Sequence, residues 1–240
     1  MKLYLSIDDT DDIESKGTGE IAEEIAEIID ENKIGKISAV TRHQLYIHDD
    51  IPYTSHNSSM CFEIDEVNEK DYDLIISLAE NHLKKESSKL SDPGLCICDI
   101  NKIDSKLLIE YGFKAKSEVL TKEYAYALAE NQNIFLKEYG GTGDGIIGAL
   151  AGIGLRLSGN DGRFKGKHKI KNGKYELEYL INNFKMDKIY DITTEKYLKN
   201  NSINLEGKIK TVLLDGKRVL PVFNENGNYY NCTKQQLRKY

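Results

Sequence analysis

KLYLSIDDTDDIESKGTGE, residues 2–20, contains a strand pattern, an acidic loop and the start of a helix in direct succession. Leu3, Leu5 and Ile7 alternate with polar residues, which is the period of a half-buried β-strand. The helical pattern that follows consists of isoleucines at positions 21, 25, 28 and 29. Because ligands collect at the carboxyl ends of strands in open α/β sheets, we expect a functional site at the acidic loop.

The acidic loop places four aspartates within five residues: Asp8, Asp9, Asp11 and Asp12. Their mutual repulsion, and burial at the end of a strand, would raise their pKa values. Mg²⁺ prefers such oxygen ligands and commonly bridges one or two carboxylates to phosphate oxygens. The loop therefore predicts a magnesium site, with a solvated acidic turn as the alternative.

Composition limits the class of protein. The chain has 240 residues, 40% of them hydrophobic and 30% charged, which suffices for one large domain or two smaller ones. A net charge of −6 argues against a broad nucleic-acid-binding surface. The four cysteines form no C-x-x-C pair, which argues against a zinc ribbon or a disulfide framework. With neither a signal peptide nor a long apolar span in the sequence, we expect no membrane partner and a cytoplasmic location.

Residues 59–135 show a strand–helix–strand–helix pattern of their own, and we interpret them as an inserted domain. Within this region we expect a helix near 103–111, a short strand at 113–118 and a helix from Lys122 to about Tyr139. The polar loop before it, IPYTSHNSSM at 51–60, contains a bend at Pro52. It is either an ordinary surface loop or a source of ligand contacts from Arg42, His43, His56, Asn57 and Ser58.

A second candidate binding segment is rich in glycine: YGGTGDGIIGALAGIGLRLSGNDGR, residues 139–163. Glycines at the start of a helix let backbone N–H groups approach an anion, and the helix dipole favours negative charge there. The spacing is neither a Walker A loop nor a G-x-G-x-x-G fingerprint. We predict a phosphate contact, with a tight turn into a buried helix as the alternative.

The remainder of the chain is predicted to be β-rich. Six formal positive charges, including Lys167, fall within residues 163–174. They are interpreted either as a binding site for a polyphosphate or an RNA backbone, or as the solvated charges of a hairpin. A strand is expected at YELEYL, residues 175–180. Asp215-Gly216 and Asn226-Gly227 predict two hairpin turns.

The aspartates belong to motifs that resemble those of two enzyme families, and each family implies a different role for them. Asp9-Thr10-Asp11 and Gly143-Asp144-Gly145 are similar to the nucleophile and metal-binding loops of haloacid-dehalogenase-type phosphatases. The second resemblance spans most of the chain and rests on five motifs: IDDTD at 7–11, Thr18 after a glycine, IPYTSHNS at 51–58, DPGL at 92–95 and GTGDGIIGALAGIG at 141–154. These occur in the order seen in the archaeal agmatinylcytidine synthetase family, which joins agmatine to a cytidine of an isoleucine tRNA.

The second resemblance implies the fold, the cofactors and the site. Family members have a kinase-like ATP-binding domain with an inserted ferredoxin-like domain, then an OB-fold and a zinc ribbon that contact tRNA. By this resemblance Asp8, Asp9 and Asp11 hold Mg²⁺ on ATP, and Thr18 matches an autophosphorylated threonine. The expected ATP-binding residues are Thr10, His56, Asn57, Gly141, Thr142, Gly143, Gly145 and Gly148.

The sequence departs from the family pattern at positions that bear on whether it uses the family's tRNA substrate. Gly17-Thr18-Gly19 replaces paired threonines, and Ser55 to Ser58 replaces an R-G-N-G-type loop. The sequence lacks the zinc ribbon and is short for a full OB-fold, so a tRNA partner is an open expectation. Thr18 also has a structural interpretation, as the N-cap of the following helix.

We therefore expect an α/β (α+β) fold. A kinase-like ATP/Mg²⁺-binding catalytic domain would comprise residues 1–58 plus 136–240, with a β-rich C-terminal segment, and a ferredoxin-like insertion would comprise 59–135. The expected function is an ATP- and Mg²⁺-dependent phosphotransferase or ligase that activates an oxygen of a nucleoside or small molecule. A nucleotide-sensing module without catalysis and a phosphatase are the alternatives.

Overall fold

A computed structural model describes residues 1–51, 56–166 and 168–240, which group into two compact units, Met1–Ser158 and Gly159–Tyr240. Pro52, Ser55 and Lys167, which the sequence singled out, lie outside the described residues. Across the described residues, six α-helices and mostly antiparallel strands make the fold α+β, as predicted. In this part of the chain, no helix combines the length and the apolar character needed to span a membrane.

Among its described residues, the first unit has six strands and five α-helices. They are β1 Leu3–Asp8, α1 Thr18–Glu31, β2 Lys36–Ile37, β3 Thr41–Gln44, β4 Ser58–Asp65, α2 Tyr72–Glu86, β5 Gly94–Asp99, α3 Ser105–Lys114, α4 Lys122–Asn131, β6 Phe135–Glu138 and α5 Gly145–Leu157. Five strands pair in the order β6-β5-β1-β4-β3, all antiparallel, and β2 also pairs with β4. The strand predicted from the opening alternation is thus confirmed, and it lies in the middle of this sheet.

The two faces of this sheet differ in chemistry. Because successive side chains point to opposite faces, Leu5 and Ile7 lie on one face, in a cluster with residues of α1 and α2. Ser6 and Asp8 lie on the other face. Ser6 is opposite Cys61 on β4 and Cys96 on β5, and these cysteines cluster with α5. Helix α5 therefore covers the polar face, and that face contains Asp8.

The glycines of α5 permit this close packing. A methyl group at position 152 would lie 2.3 Å from Ser6 Oγ and 2.7 Å from Ser59 Oγ. Distances below 3.0 Å essentially never occur for real Cβ atoms. The glycine-rich helix therefore packs closely on the sheet, and at Gly152 the hydroxyl groups of Ser6 and Ser59 occupy the contact.

The second unit is β-rich, as predicted. Its elements are β7 Arg163–Phe164, β8 His168–Lys169, β9 Gly173–Glu176, α6 Leu177–Asn183, β10 Lys188–Asp191, β11 Lys196–Tyr197, β12 Ser202–Leu205, β13 Lys208–Ile209, β14 Val212–Leu214, β15 Lys217–Glu225 and β16 Asn228–Asn231. The pairing order is β7-β14-β15-β16-β12-β9, with β10 beside β15 and β11 beside β10. Strands β8 and β13 form a separate ribbon.

Both predicted hairpins are confirmed. Asp215-Gly216 joins β14 to β15, and Asn226-Gly227 joins β15 to β16. All four residues have positive φ angles, as two-residue turns between twisted strands require.

Three predicted elements are wrong. The helix from Lys122 to Tyr139 stops at Asn131, because the chain turns through Asn133 at φ +53° and continues as strand β6. The strand at 113–118 is absent, since α3 continues to Lys114 and a turn follows. The strand at 175–180 ends at Glu176, where α6 begins.

Strand pairing in the first unit joins the opening strand to residues of the expected insertion at 59–135. Strands β4 and β5, which fall in the expected insertion at 59–135, pair directly with β1 on its two sides. These long antiparallel pairings place the insertion and the opening strand in one compact unit, and the second unit begins at Gly159.

Candidate functional site

The acidic loop and the glycine-rich helix meet at the carboxyl end of β1. Asp8, the last residue of β1, is only 7% exposed. A methyl group at position 148 would lie 1.6 Å from Asp8 Oδ2, so only a glycine on α5 leaves room for this carboxylate. The two segments that the sequence singled out separately are therefore in direct contact.

Negative charge accumulates around Asp9. Burial, followed by the carboxylates of Asp92, Asp11 and Asp144, raises the pKa of Asp9 to about 6. Burial and the neighbouring Asp9 also raise the pKa of Asp8 well above its ordinary value. Asp9 has a positive φ of 50°, a conformation in which non-glycine residues are uncommon. The loop thus holds several acids close together in a conformation that the surrounding structure must stabilise.

Thr18 belongs to this cluster through its hydroxyl. Thr18 Oγ1 donates a hydrogen bond to Asp11 Oδ1 at 2.6 Å and accepts one from the N–H of Thr10 at 3.4 Å. The N-cap of α1 is Gly17, without a side-chain cap bond, and Thr18 is the first helical residue. The N-cap interpretation of Thr18 is therefore wrong, because its oxygen faces the acidic loop.

Asp12 has a separate, structural role. Its Oδ1 accepts hydrogen bonds from the N–H groups of Glu14 and Ser15, at 2.8 and 2.9 Å. Its Oδ2 accepts one from Ser88 Oγ. The Ser88 bond, then those of the loop N–H groups, lower the pKa of Asp12. Of the four aspartates in the loop, Asp12 is the one whose carboxylate stabilises the conformation of the loop.

Asp92 fixes the glycine-rich loop, and sequence reasoning did not single it out. Its Oδ1 accepts the N–H of Thr142 at 2.6 Å, and its Oδ2 accepts the Thr142 hydroxyl at 2.9 Å. Gly141 has a φ of +55°, and a methyl group there would lie 1.3 Å from Asp92 Oδ1. The signal was present in the DPGL motif at 92–95, one of the five motifs that carry the family resemblance, which gave Asp92 no role.

A cation also reaches this loop. The Lys122 ammonium donates a hydrogen bond to the carbonyl of Thr142 and lies 3.5 Å from Glu138 Oε2. Lys122 comes from the start of α4, about 20 residues before the loop, so its position depends on tertiary packing. It was not among the predicted site residues.

The predicted contacts on the β3–β4 connection are mainly structural. Asn57 Nδ2 donates to the carbonyl of Tyr46, and the Asn57 carbonyl accepts from the N–H of Leu45. Ser58 Oγ accepts from Arg42 Nε at 2.9 Å, and buried His43 bonds to the hydroxyl of Thr41. His56 is exposed. The acids, Thr10, Thr18 and the glycine-rich segment therefore come together, while Asn57 shapes a neighbouring loop.

The donor set fits a magnesium–phosphate ligand better than a closed metal centre. Within residues 1–51, 56–166 and 168–240, no group of three His, Cys, Asp or Glu side chains forms a ready-made metal site. Mg²⁺ commonly keeps several waters and binds through one or two carboxylates plus phosphate oxygens. Burial and then the neighbouring carboxylates raise the pKa values of Asp8 and Asp9, so their charged forms are disfavoured, and a divalent cation would stabilise these charged forms.

Comparisons with known proteins find solved structures that are similar to this chain in fold. No protein-family model and no curated protein matches the chain. A solved tRNA fluorescent labeling enzyme matches at 25% identity over 64% of this chain and 36% of that chain, with a TM-score of 0.56. Apo TiaS, a tRNA agmatidine synthetase, matches at 24% identity over 64% of this chain and 35% of that chain, with a TM-score of 0.55.

A third solved structure, the complex of TiaS with an isoleucine tRNA and ATP, covers more of the chain. It matches at 18% identity over 88% of this chain and 52% of that chain, with a TM-score of 0.57. The chain thus spans between about a third and about a half of the length of these enzymes. It shares the fold of these tRNA-modifying enzymes.

Proposed function

We propose that this chain is an ATP- and Mg²⁺-dependent enzyme of the tRNA-modification type, a short relative of the agmatinylcytidine synthetases. In this proposal it activates an oxygen of a nucleotide or small molecule by phosphorylation. The observation that carries the proposal is the direct contact between the Asp8 carboxylate and Gly148 of the glycine-rich helix. Similarity to a TiaS structure that contains ATP supports the choice of nucleotide.

Asp8, Asp9 and Asp11 would hold the magnesium ion. When bound, the ion neutralises negative charge on the triphosphate, which must happen before a nucleophile can approach. Asp92 and Asp144 lie close enough to raise the pKa of Asp9, so they add to the field that attracts the cation. Burial, and after it the neighbouring carboxylates, raises the pKa values of Asp8 and Asp9, so both retain protons more readily than an exposed aspartate does.

The glycine-rich loop would contact the phosphates from the other side. At the start of α5, the N–H groups of Ile146 and Ile147 already donate to the carbonyls of Gly143 and Asp144, at 3.4 and 3.0 Å, so the positive end of the helix dipole is what would favour the phosphates here. Gly145 packs against the backbone of Asp92 and Gly94, and Gly148 leaves room for the Asp8 carboxylate, so these glycines hold the acids and the start of α5 close together. Lys122 supplies a cation next to the carbonyl of Thr142.

Thr18 would receive a phosphoryl group. Its hydroxyl already donates to Asp11 at 2.6 Å, so this carboxylate is placed to accept the proton as Oγ1 attacks the γ-phosphorus. The bond from the γ-phosphorus to the bridging oxygen breaks, and ADP leaves with the electron pair. The phosphothreonine could then pass its phosphoryl group to the acceptor oxygen, which an amine would displace in a ligase reaction.

The predicted domain organisation becomes part of this proposal. Residues 8–18 and 141–148 both fall in the part of the chain assigned to the catalytic domain, 1–58 plus 136–240. Residues 59–135, the assigned ferredoxin-like insertion, contribute Asp92 and Lys122. The acceptor in this proposal is a small molecule, a nucleotide or a tRNA.

A transfer assay with ATP labelled on the γ-phosphate tests the proposal. We expect label on the native chain and on Thr18→Ser, which keeps a hydroxyl, and none on Thr18→Ala. Mass spectrometry of the labelled peptide locates the phosphate. Bound ATP with no turnover would instead show a nucleotide-sensing module, and ATP-independent hydrolysis of a phosphoester would show a phosphatase.

A further inference from the structure

A groove opens beside the site, at the C-terminal end of α2. It has a volume of about 210 Å³. We call it the serine groove and define it by its lining residues: Leu83, Lys84, Ser87, Ser88, Lys89, Ser91, Pro93, Tyr139 and Gly140. None of the acids or ATP-contacting glycines described above lines it, so it is a separate feature of the first unit.

The wall of the serine groove is bonded to both loops of the site. The N–H of Ser88 donates to the carbonyl of Thr10 at 3.0 Å, and Ser88 Oγ donates to Asp12. On the other side, the carbonyl of Pro93 accepts the N–H of Tyr139 at 2.9 Å, just before the glycine-rich loop. A ligand in the groove would therefore lie next to the acidic loop and next to the glycines.

The groove offers positive charge and a free hydroxyl. Lys84 and Lys89 both line it, and Lys89 has no ion pair among the described residues. Ser87 Oγ is buried and has no hydrogen-bond partner in this part of the chain. The hydroxyls of Ser88 and Ser91 already donate, to Asp12 and to the carbonyl of Ser88.

The arrangement favours an anion over a neutral or aromatic ligand. Lys84 and Lys137 lie 5.5 and 5.3 Å from the centre of the Tyr139 ring, so this ring is engaged with cations and is not offered for base stacking. Lys84 is only loosely paired, at 3.7 Å from Glu80. Two ammonium groups match the charge of a phosphate monoester, which is close to −2 at neutral pH.

We propose that the serine groove binds the phosphate monoester of the acceptor, and that the acceptor is therefore a nucleoside monophosphate or another phosphorylated small molecule. This inference rests on the proposed function, because it places the acceptor beside the ATP site. Lys84 and Lys89 attract the phosphate, and the Ser87 hydroxyl, which is buried without a partner, rotates toward the groove to donate a hydrogen bond to it.

Calorimetric titration of the intact chain with the four ribonucleoside 5′-monophosphates tests the inference, with AMPCPP and Mg²⁺ present to fill the ATP site. Matched nucleosides without phosphate serve as probes of the base and ribose alone. We expect one monophosphate to bind, its nucleoside to bind at least about tenfold more weakly, and Lys89→Gln to lose about tenfold in affinity, as a charge-assisted contact predicts. Ser87→Ala should weaken binding less, and Lys106→Gln, an exposed lysine outside the groove, should change nothing.

The outcomes separate this inference from the proposed function. If Lys89→Gln weakens AMPCPP instead of the monophosphate, the groove belongs to the ATP site and the inference is wrong. Equal binding of nucleoside and monophosphate, tighter binding of a dinucleotide with only a bridging phosphodiester, or no binding of any probe also overturns it. If AMPCPP fails to bind but a monophosphate binds in a Lys89-dependent way, the groove stands and the proposed ATP chemistry fails.

Discussion

At the scale of single residues, the site depends on a glycine at position 148, which has no side chain. Asp8 is buried against α5, and its carboxylate occupies the space where any larger residue at position 148 would place its Cβ. A carboxylate can be kept at that depth only if its charge is neutralised or its proton is retained, and the raised pKa of Asp8 reflects this. Gly148 is therefore as much a part of the site as the acid it accommodates.

We predict that Gly148→Ala lowers the free energy of unfolding by about 1–3 kcal/mol, because overpacking forces the Asp8 side chain or α5 to shift. Asp8→Ser shortens the opposing side chain, so the double variant should recover part of the loss. Denaturant unfolding of the four proteins in this cycle measures the coupling. Gly173→Ala, whose new methyl group would lie 3.7 Å from Tyr175, is the control and should be nearly neutral. Additive effects of Gly148→Ala and Asp8→Ser would contradict the contact.

Local patterns predicted the residues of the acidic loop but not all of their neighbours. Asp8, Asp9 and Asp11 stand out because they follow an alternating strand in direct succession. Asp92 and Lys122 were not assigned, because their positions depend on strand pairing and helix packing over long sequence separations. The N-cap interpretation of Thr18 failed for a related reason, since sequence alone does not say which way its hydroxyl points.

At the scale of elements, the segment between α2 and β5 joins the two loops of the site. Ser88 bonds to the acidic loop, and Asp92 bonds to the glycine-rich loop. Gly94, at the start of β5, packs against the backbone of Gly145, where a methyl group would lie 2.3 Å from the carbonyl carbon. This connection explains how a strand end and a helix start that are more than 130 residues apart in sequence keep one geometry.

We predict that Asp92→Ala releases the glycine-rich loop. The amide of Thr142, which now donates to Asp92 at 2.6 Å, should lose its protection from hydrogen exchange. Asp99→Ala is a matched control at the other end of β5, where the carboxylate accepts the N–H of Asn101 in a similar turn. It should leave the Thr142 amide protected. Unchanged exchange at Thr142 in Asp92→Ala would show that Asp92 does not hold the loop.

Elements were predicted well where their signal was short-range. The first strand, α1, α5 and the two hairpins follow from alternation, helical spacing and Asn-Gly or Asp-Gly turns. The helix from Lys122 was extended too far because Asn133, in a positive-φ turn, carries only a weak breaking signal. The boundary between the two units at Gly159 did not follow from the sequence, because the pairing of β1 with β4 and β5 is a long-range property that periodicity does not reveal.

At the scale of the whole molecule, all predicted site residues lie in the first unit, Met1–Ser158. This unit has its own hydrophobic clusters on both faces of its sheet. We predict that residues 1–158 expressed alone unfold cooperatively and bind Mg²⁺–ATP with the affinity of the intact chain. Circular dichroism melting and calorimetry check this. A folded fragment that does not bind would show that residues 159–240 complete the site.

The central claim is that the acidic loop binds ATP through magnesium, and calorimetric titration of the intact chain with ATP tests it most directly. We predict binding in the presence of Mg²⁺, its loss with EDTA, and a loss of at least about tenfold in Asp9→Asn, because a ligand and a charge are removed. Glu14→Gln, which removes an exposed charge from the same loop, should bind as the native chain does. Equal affinity of Asp9→Asn and the native chain for Mg²⁺–ATP would contradict the account.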